Sequence, residues 1–209
     1  MGEPLVSVVI PTYQRTQVLR DRCLPSVIGQ THQNLDIHVV GDGRNPETRA
    51  MIEELGDERV RYSEVPKQVL PEDPGTRWCV IGLDNRNKGH DDAKGEYIMG
   101  LDDDDMWLPF TVEVLLGALI REKADVAYGK SEAFGADGSK AWYGNWPPMH
   151  FAYCEGAWIS KHDLGFRYDP DCVKRGLPED GDRIDRMVAA GLKFTMVDRI
   201  VHYYYPNPR

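Results

Sequence analysis

Lysine and arginine nowhere gather into a block in this chain, and no apolar run approaches the about 20 residues that a membrane-spanning helix needs. With 25 basic against 34 acidic residues the formal net charge is −9, which argues against broad affinity for nucleic acid or for an anionic membrane surface. The opening Met1-Gly2-Glu3-Pro4 has no basic segment, and the apolar run from Leu5 to Ile10 is too short for a leader, so neither a signal peptide nor a transmembrane anchor is expected. Cysteine is scarce and scattered: Cys23, Cys79, Cys154 and Cys172 show no paired spacing. That excludes a zinc knuckle or a disulfide framework and reads as reduced thiols, most of them buried, in a cytoplasmic protein. Phosphate loops are missing too. No GxGxxG follows the first strand and no GxxxxGK[ST] occurs, which speaks against a dinucleotide-dependent dehydrogenase and against a P-loop NTPase. A phosphate-bearing ligand would have to be held by a metal ion or a local basic group.

What is there is enough for one domain: 209 residues, 41% of them hydrophobic. Residues 5–10 form a short β-branched run ended by Pro11, and Thr16 is placed to cap a helix that Pro25 should kink. Leu35 to Val40 is a second buried strand. Asn45 and Pro46 then supply the cap and first turn of a helix through Leu55, closed by Gly56. A weaker strand covers Val60 to Tyr62, and residues 63–76 form a loop. A helix from about Trp78 precedes a strand at Tyr97 to Leu101, and a further helix spans Pro109 to Glu122. The alternation predicts an α/β fold with a parallel, doubly wound sheet. After Asp125 the character changes: Val126 to Phe134 and Ser139 to Tyr143 flank the turn Gly135-Ala136-Asp137-Gly138, a hairpin signal. A final helix from Glu179 ends at Gly191, and Tyr203 to Tyr205 lie in a last strand. His150 and His162 have no evident partners.

The most informative stretch is Asp102-Asp103-Asp104-Asp105, between the apolar runs Tyr97 to Leu101 and Met106 to Phe110. Two unit charges about 4 Å apart repel by roughly 1 kcal/mol in water and by several times that near a low-dielectric surface. A hard divalent ion with oxygen ligands reverses that sign. The cluster falls at the carboxyl end of a strand, the edge where open α/β sheets bind ligands. Pro11-Thr12-Tyr13-Gln14-Arg15 and Val39-Val40-Gly41-Asp42-Gly43 should open on that same edge, bringing an aromatic ring and a carboxylate for a nucleotide base. Taken singly, Tyr13 also suits a half-buried core position, Asp42 a turn, and the aspartates a solvated acidic bend in which Asp105 caps the next helix.

Seen jointly, the chain resembles a glycosyltransferase of family 2 with the GT-A fold. The matching segments are residues 8–15, Ser26 to Thr31, residues 39–43, Arg86-Asn87-Lys88-Gly89, Ala93 to Ile98, Leu101 to Pro109 and Glu179-Asp180, in the family's order and spacing. The resemblance implies a single domain with a Rossmann-like, mostly parallel sheet. Residues 1–109 would form the nucleotide-sugar half, and residues 110–209 a smaller acceptor half with an antiparallel hairpin. It implies an enzyme that moves a sugar from a nucleotide diphosphate donor to an acceptor hydroxyl with Mn²⁺ or Mg²⁺.

By that mapping the family's DxD motif falls on Asp102-Asp103-Asp104, with Asp104 on the metal and Asp102 on ribose or metal. Pro11, Thr12, Tyr13, Arg15, Asp42 and Asp103 line the donor site, and Arg86 reaches its phosphates. Asp42 accepts but does not donate, which suits a base with a ring N–H, so a UDP-sugar is expected first, with GDP- and dTDP-sugars as alternatives. Relatives carry an aspartate where Gly41 stands. They also often end in a histidine before a proline, whereas Pro206 here follows three tyrosines and His202 lies upstream. His202 is the candidate third metal ligand, against the alternative of a histidine packed beside tyrosines. Asp180 matches the base that deprotonates the acceptor in an inverting reaction; taken alone, Glu179-Asp180 also suits a helix amino terminus. Trp142, Trp146 and Trp158 mark the region where an acceptor should lie. The acceptor's class stays open among saccharide, lipid carrier, protein and small molecule. A nucleotidyltransferase and a non-catalytic nucleotide-sugar-binding module remain as other readings.

Overall fold

A computed structural model describes residues 2–135, 137–149 and 154–206. Strand β1 (Val6–Thr12) is buried along its whole length, as a central parallel strand must be. The helix expected after it is broken into α1 (Thr16–Val18), a π-turn over Leu19–Cys23, and α2 (Leu24–Ile28). The widened turn precedes Pro25, which has no N–H to offer to an α-helical ladder. Thr16 is not the cap: its hydroxyl pairs with that of Thr48 at 2.8 Å.

Strand β2 (Leu35–Asp42) is followed by α3 (Pro46–Leu55). The expected devices are both present there: Asn45 accepts from the Thr48 backbone N–H at 3.1 Å, and Gly56 adopts φ 65°. Strand β3 (Val60–Val65) runs three residues further than its apolar signal. The single helix expected near Trp78 is two, α4 (Pro74–Val80) and α5 (Leu83–Asp92), divided at Gly82, whose φ is 85°. Helix α5 lies close on the sheet because a side chain at Gly89 would overlap Val9 of β1. Strand β4 (Tyr97–Gly100) completes a parallel set ordered β3-β2-β1-β4.

Beyond β4 the sheet is mixed. The acidic bend runs directly into β5 (Met106–Trp107), a two-residue strand with no sequence signal of its own. Asp105 caps no helix, since α6 (Thr111–Glu122) begins later, after Phe110. Strand β6 (Val126–Phe134) and β7 (Lys140–Tyr143) form the expected hairpin. Strand β8 (Trp158–Lys161) pairs antiparallel with both β4 and β6. Helix α7 (Glu179–Ala189) leads to β9 (Phe194–Tyr204), which is far longer than the tyrosine run and parallel to β6. The order continues β4-β8-β6-β9-β5. The β5–β9 register sets Trp107 opposite His202, which ties the end of the chain to the acidic bend.

The main core joins β1, β2 and α6 through Val8, Ile10, Ile37, Val39, Leu115 and Leu119, all almost fully buried. The four cysteines are free. Among the described residues no helix is long and apolar enough to cross a membrane. His150 lies outside the described residues. The two ring nitrogens of His162 face the carbonyls of Gly95 (3.1 Å) and His90 (2.9 Å).

Candidate active site

Because β1, β2 and β4 are parallel, Thr12, Asp42 and the acidic bend emerge at one edge of the sheet. A cavity of about 310 Å³ opens there, and its lining contains Pro11, Thr12, Tyr13, Arg15, Asp42 and Arg86 together with Asp102, Asp103 and Asp104. Tyr13 is 46% exposed rather than packed in the core, and the Lys67 ammonium lies 3.4 Å from its ring centroid. Both oxygens of Asp42 have partners: Lys67 Nζ donates to Oδ2 at 2.5 Å and the Gln68 backbone N–H to Oδ1 at 2.7 Å. Position 41 has no room for a carboxylate, because the Tyr62 hydroxyl takes the space where a side chain would begin. Lys67 escaped the sequence reading, since a lysine in a proline-rich loop carries no periodic signal.

Every aspartate of the bend is partnered. Arg86 Nη2 donates to Asp102 Oδ1 at 2.7 Å. The Thr12 hydroxyl (2.6 Å) and Arg15 Nη1 (3.0 Å) donate to Asp103, and Arg15 Nη1 also reaches Asp104 at 2.8 Å. Asp105 accepts from the Tyr205 backbone N–H at 2.8 Å and faces His202 Nε2 at 3.0 Å. His202 is fully buried, and its Nδ1 lies 2.9 Å from the Ser131 hydroxyl. Both ring nitrogens are therefore engaged inside the protein. Nε2 is placed to donate to the Asp105 carboxylate, and Nδ1 lies against the Ser131 hydroxyl.

The charges are in tension. Burial, followed by the neighbouring charges of Asp102 and Asp105, pushes the Asp104 carboxyl up to about 7. Burial raises Asp102 as well, but the Arg86 guanidinium outweighs it and holds that group below the usual carboxylate range. Oxygens of Asp102, Asp104 and Asp105 approach within 4.8 Å of one another. A set of hard oxygen donors, close together and destabilised by their own repulsion, fits a divalent cation such as Mn²⁺ or Mg²⁺.

Helix α5 distributes this arrangement. The Asn85 side chain donates to the Val40 carbonyl at 2.8 Å, Asn87 exchanges two hydrogen bonds with the Tyr168 backbone, and Arg86 between them also reaches Glu179 Oε1 at 3.4 Å. Arg86 is only 7% exposed. It lines the first cavity and also a second, of about 220 Å³, whose walls include Glu179 and Asp180. Burial, then repulsion from Glu155, raises the Asp180 carboxyl to about 6. Trp78, Ile81, Asp102 and Tyr204 line both cavities as well, so the two meet along one wall. Glu155 and Tyr143 also belong to the second cavity, and neither drew attention as sequence. Glu155 acquires its place through Tyr168 and Trp158, residues 13 and 3 positions away. Of the three tryptophans expected near the acceptor, Trp158 is buried and Trp142 and Trp146 are largely exposed; none of these three lines either cavity.

Residues 7–70 and 82–174 match the family model described as Glycosyl transferase family 2. The chain is 33% identical over 129 residues to GalNAc(5)-diNAcBac-PP-undecaprenol beta-1,3-glucosyltransferase of Campylobacter jejuni, a match that covers 60% of this chain and 36% of that protein. The chain thus spans well under half the length of this relative. In three dimensions it resembles S. aureus TarS 1-349 in complex with UDP, with TM-score 0.72 and 16% identity, over 97% of this chain and 61% of that one. It also resembles the mannosyltransferase PcManGT from Pyrobaculum calidifontis in complex with GDP-Man and Mn²⁺, with TM-score 0.70 and 14% identity, over 100% of this chain and 59% of that one. Similarity at this identity establishes a shared fold.

Proposed function

Because this chain belongs to glycosyl transferase family 2, with the GT-A fold, we propose that it is a metal-dependent, inverting glycosyltransferase that takes its sugar from a nucleoside diphosphate donor, UDP-linked by preference. One observation carries the reading: an oxygen cluster suited to a divalent ion lies at the sheet edge where two cavities meet, and a carboxyl with a raised pKa lies in the second of them. The nucleotide occupies the first cavity, largely within residues 1–109. Tyr13 offers a ring face to the base, and Asp42, an acceptor only, prefers a base with a ring N–H such as uracil. Asp104 and Asp102 would hold the ion, with Asp105 braced behind them by His202. When bound, it would supply a Lewis acid that offsets negative charge on the departing diphosphate.

The acceptor enters the second cavity, against the half contributed mainly by residues 110–209. Asp180 removes the proton from its hydroxyl as the oxygen attacks the anomeric carbon from the face opposite the nucleotide. Arg86 keeps the two sites in register through its bonds to Asp102 and Glu179. Three other donors converge on the bend: Arg15 and Thr12 hold Asp103 and Asp104, and Arg22 donates to the Asp104 carbonyl at 2.7 Å.

Incubation with Mn²⁺ and a panel of UDP-, GDP- and dTDP-sugars tests this directly. Release of free nucleoside diphosphate is the expected result. Pyrophosphate would identify a nucleotidyltransferase, and binding without release a non-catalytic module. The pH profile supplies a second check. A carboxyl raised to about 6 is protonated below that pH and cannot take up the acceptor's proton. With donor and metal saturating, turnover should fall as pH drops through about 6. A limb near pH 4, where an ordinary carboxylate titrates, would count against Asp180 as the base.

A further inference from the structure

We propose that the second cavity selects by sign of charge: it admits hydroxyl compounds that are neutral or carry an ammonium group beside the reacting hydroxyl, and turns away those with a carboxylate or phosphate there. The acceptor is accordingly a neutral or amino-bearing sugar or alcohol. That last step rests on the reading of this cavity as the acceptor's, whereas the charge preference does not.

Five carboxyl groups line the cavity: Asp102, Asp105, Glu155, Glu179 and Asp180. Burial pushes Asp105 up and Glu179 well above the usual carboxylate range, so the negative field comes chiefly from the others. Among the described residues the one cation in the lining is Arg86, and it already serves Asp102 at 2.7 Å and Glu179 at 3.4 Å. Arg183 approaches from behind, but its Nη1 ends on the Tyr168 hydroxyl at 3.1 Å, a group that in turn donates to Glu155. Glu155 also accepts from Trp158 Nε1 at 3.2 Å, so its charge is fixed in place at the cavity wall.

Like charges held in low-dielectric walls focus their field into the space between them. The donor complex does not cancel it, because the charge of a divalent ion is met by that of the diphosphate. An entering anion would have a further effect. Asp180 is already raised to about 6 by burial and by the charge of Glu155, and another negative charge beside it would favour its protonated form and remove the base.

The rest of the lining matches a sugar-like guest. Trp78, Tyr143 and Tyr204 contribute aromatic surface, which accepts both the apolar face of a pyranose and a nearby ammonium. Arg86 Nη1 is buried and has no hydrogen-bond partner among the described residues.

Cys154, a free thiol that burial pushes up to about 12, lines the same cavity and is the native reporter. Cys23 and Cys172 are fully buried, so a Cys79→Ser background leaves Cys154 as the reporter. It is treated with a cationic trimethylammonioethyl and an anionic sulfonatoethyl methanethiosulfonate, with UDP and Mn²⁺ present, and each rate is divided by that for free N-acetylcysteine. The cationic reagent should be favoured by about tenfold or more at low salt, with the ratio falling toward one as salt is added. A ratio of one or less overturns the proposal. Ile81→Cys, at a 42% exposed position lining the same cavity, gives the same reading if Cys154 proves unreactive.

A matched set of p-nitrophenyl glucoside, glucosaminide and glucuronide then competes with labelling. The first two should slow it and the glucuronide should not; protection by the glucuronide alone overturns the acceptor class. A cation preference in a protein that releases no nucleoside diphosphate from any donor would instead remove the acceptor assignment, which separates failure of the charge preference from failure of the functional reading.

Discussion

Asp180→Asn is expected to lower turnover by roughly 10²–10⁴-fold, the usual contribution of a positioned general base, while binding of UDP and Mn²⁺ stays close to that of the parent protein. The two effects separate because Asp180 is absent from the lining of the first cavity and present in that of the second. The substitution is nearly isosteric, and its amide oxygen can still accept from the Gly181 backbone N–H, as Oδ1 does now at 2.7 Å. What it removes is the capacity to take up a proton. Steady-state turnover set beside nucleotide titration decides the matter: unchanged turnover would take Asp180 out of the mechanism, and lost nucleotide binding would mean that it supports the fold instead. Asp180→Glu retains the function but moves it by one methylene, and should fall between the two.

Asp104→Asn should weaken Mn²⁺ binding by roughly 10²-fold or more and reduce turnover by about 10²–10³-fold, the scale of losing one electrostatic stabiliser of developing charge. Stability should move the other way. The Asp104 carboxyl is raised to about 7 by burial and then by its acidic neighbours. The folded state therefore binds more protons than the unfolded chain between the ordinary carboxylate range and about 7, and stability declines as pH rises through that window. At about pH 8 without metal, the asparagine variant should melt at or above the parent protein, having lost a repelling charge while keeping an acceptor for Arg15. Added Mn²⁺ should raise the melting temperature of the parent protein and leave that of the variant nearly unmoved, since an ion that binds only the folded state stabilises by mass action. Equal Mn²⁺ stabilisation of both proteins would separate Asp104 from the metal site. Electron paramagnetic resonance of Mn²⁺ measures the same affinity without any turnover.

The parts of this molecule that local chemistry dictates were open to reading from the chain. The buried β-branched runs of β1 and β2, the Asn45–Pro46 start and Gly56 stop of α3, and the hairpin after Asp125 all depend on neighbours in sequence. The donor-side residues cluster because three parallel strands end on one edge, where the run of four aspartates also lies. Legibility ended where partners lie far apart along the chain. Strand β5 exists because the end of β9 pairs with it, about a hundred residues later. Asp105 has its partners in His202 and Tyr205 rather than in the following helix, and Gly41 is small because Tyr62 comes across from the next strand.

The sequence carried the motifs by which the chain resembles its family, the parallel half of the sheet and the edge on which the donor-side turns open. It left undecided which charges face one another. Arg86 links Asp102, 16 residues away, to Glu179, 93 residues away, and Glu155 is held at the second cavity by Tyr168 and Trp158. Electrostatic energies depend on distance through space and on how much water has been expelled, and neither quantity has a value until the chain has folded.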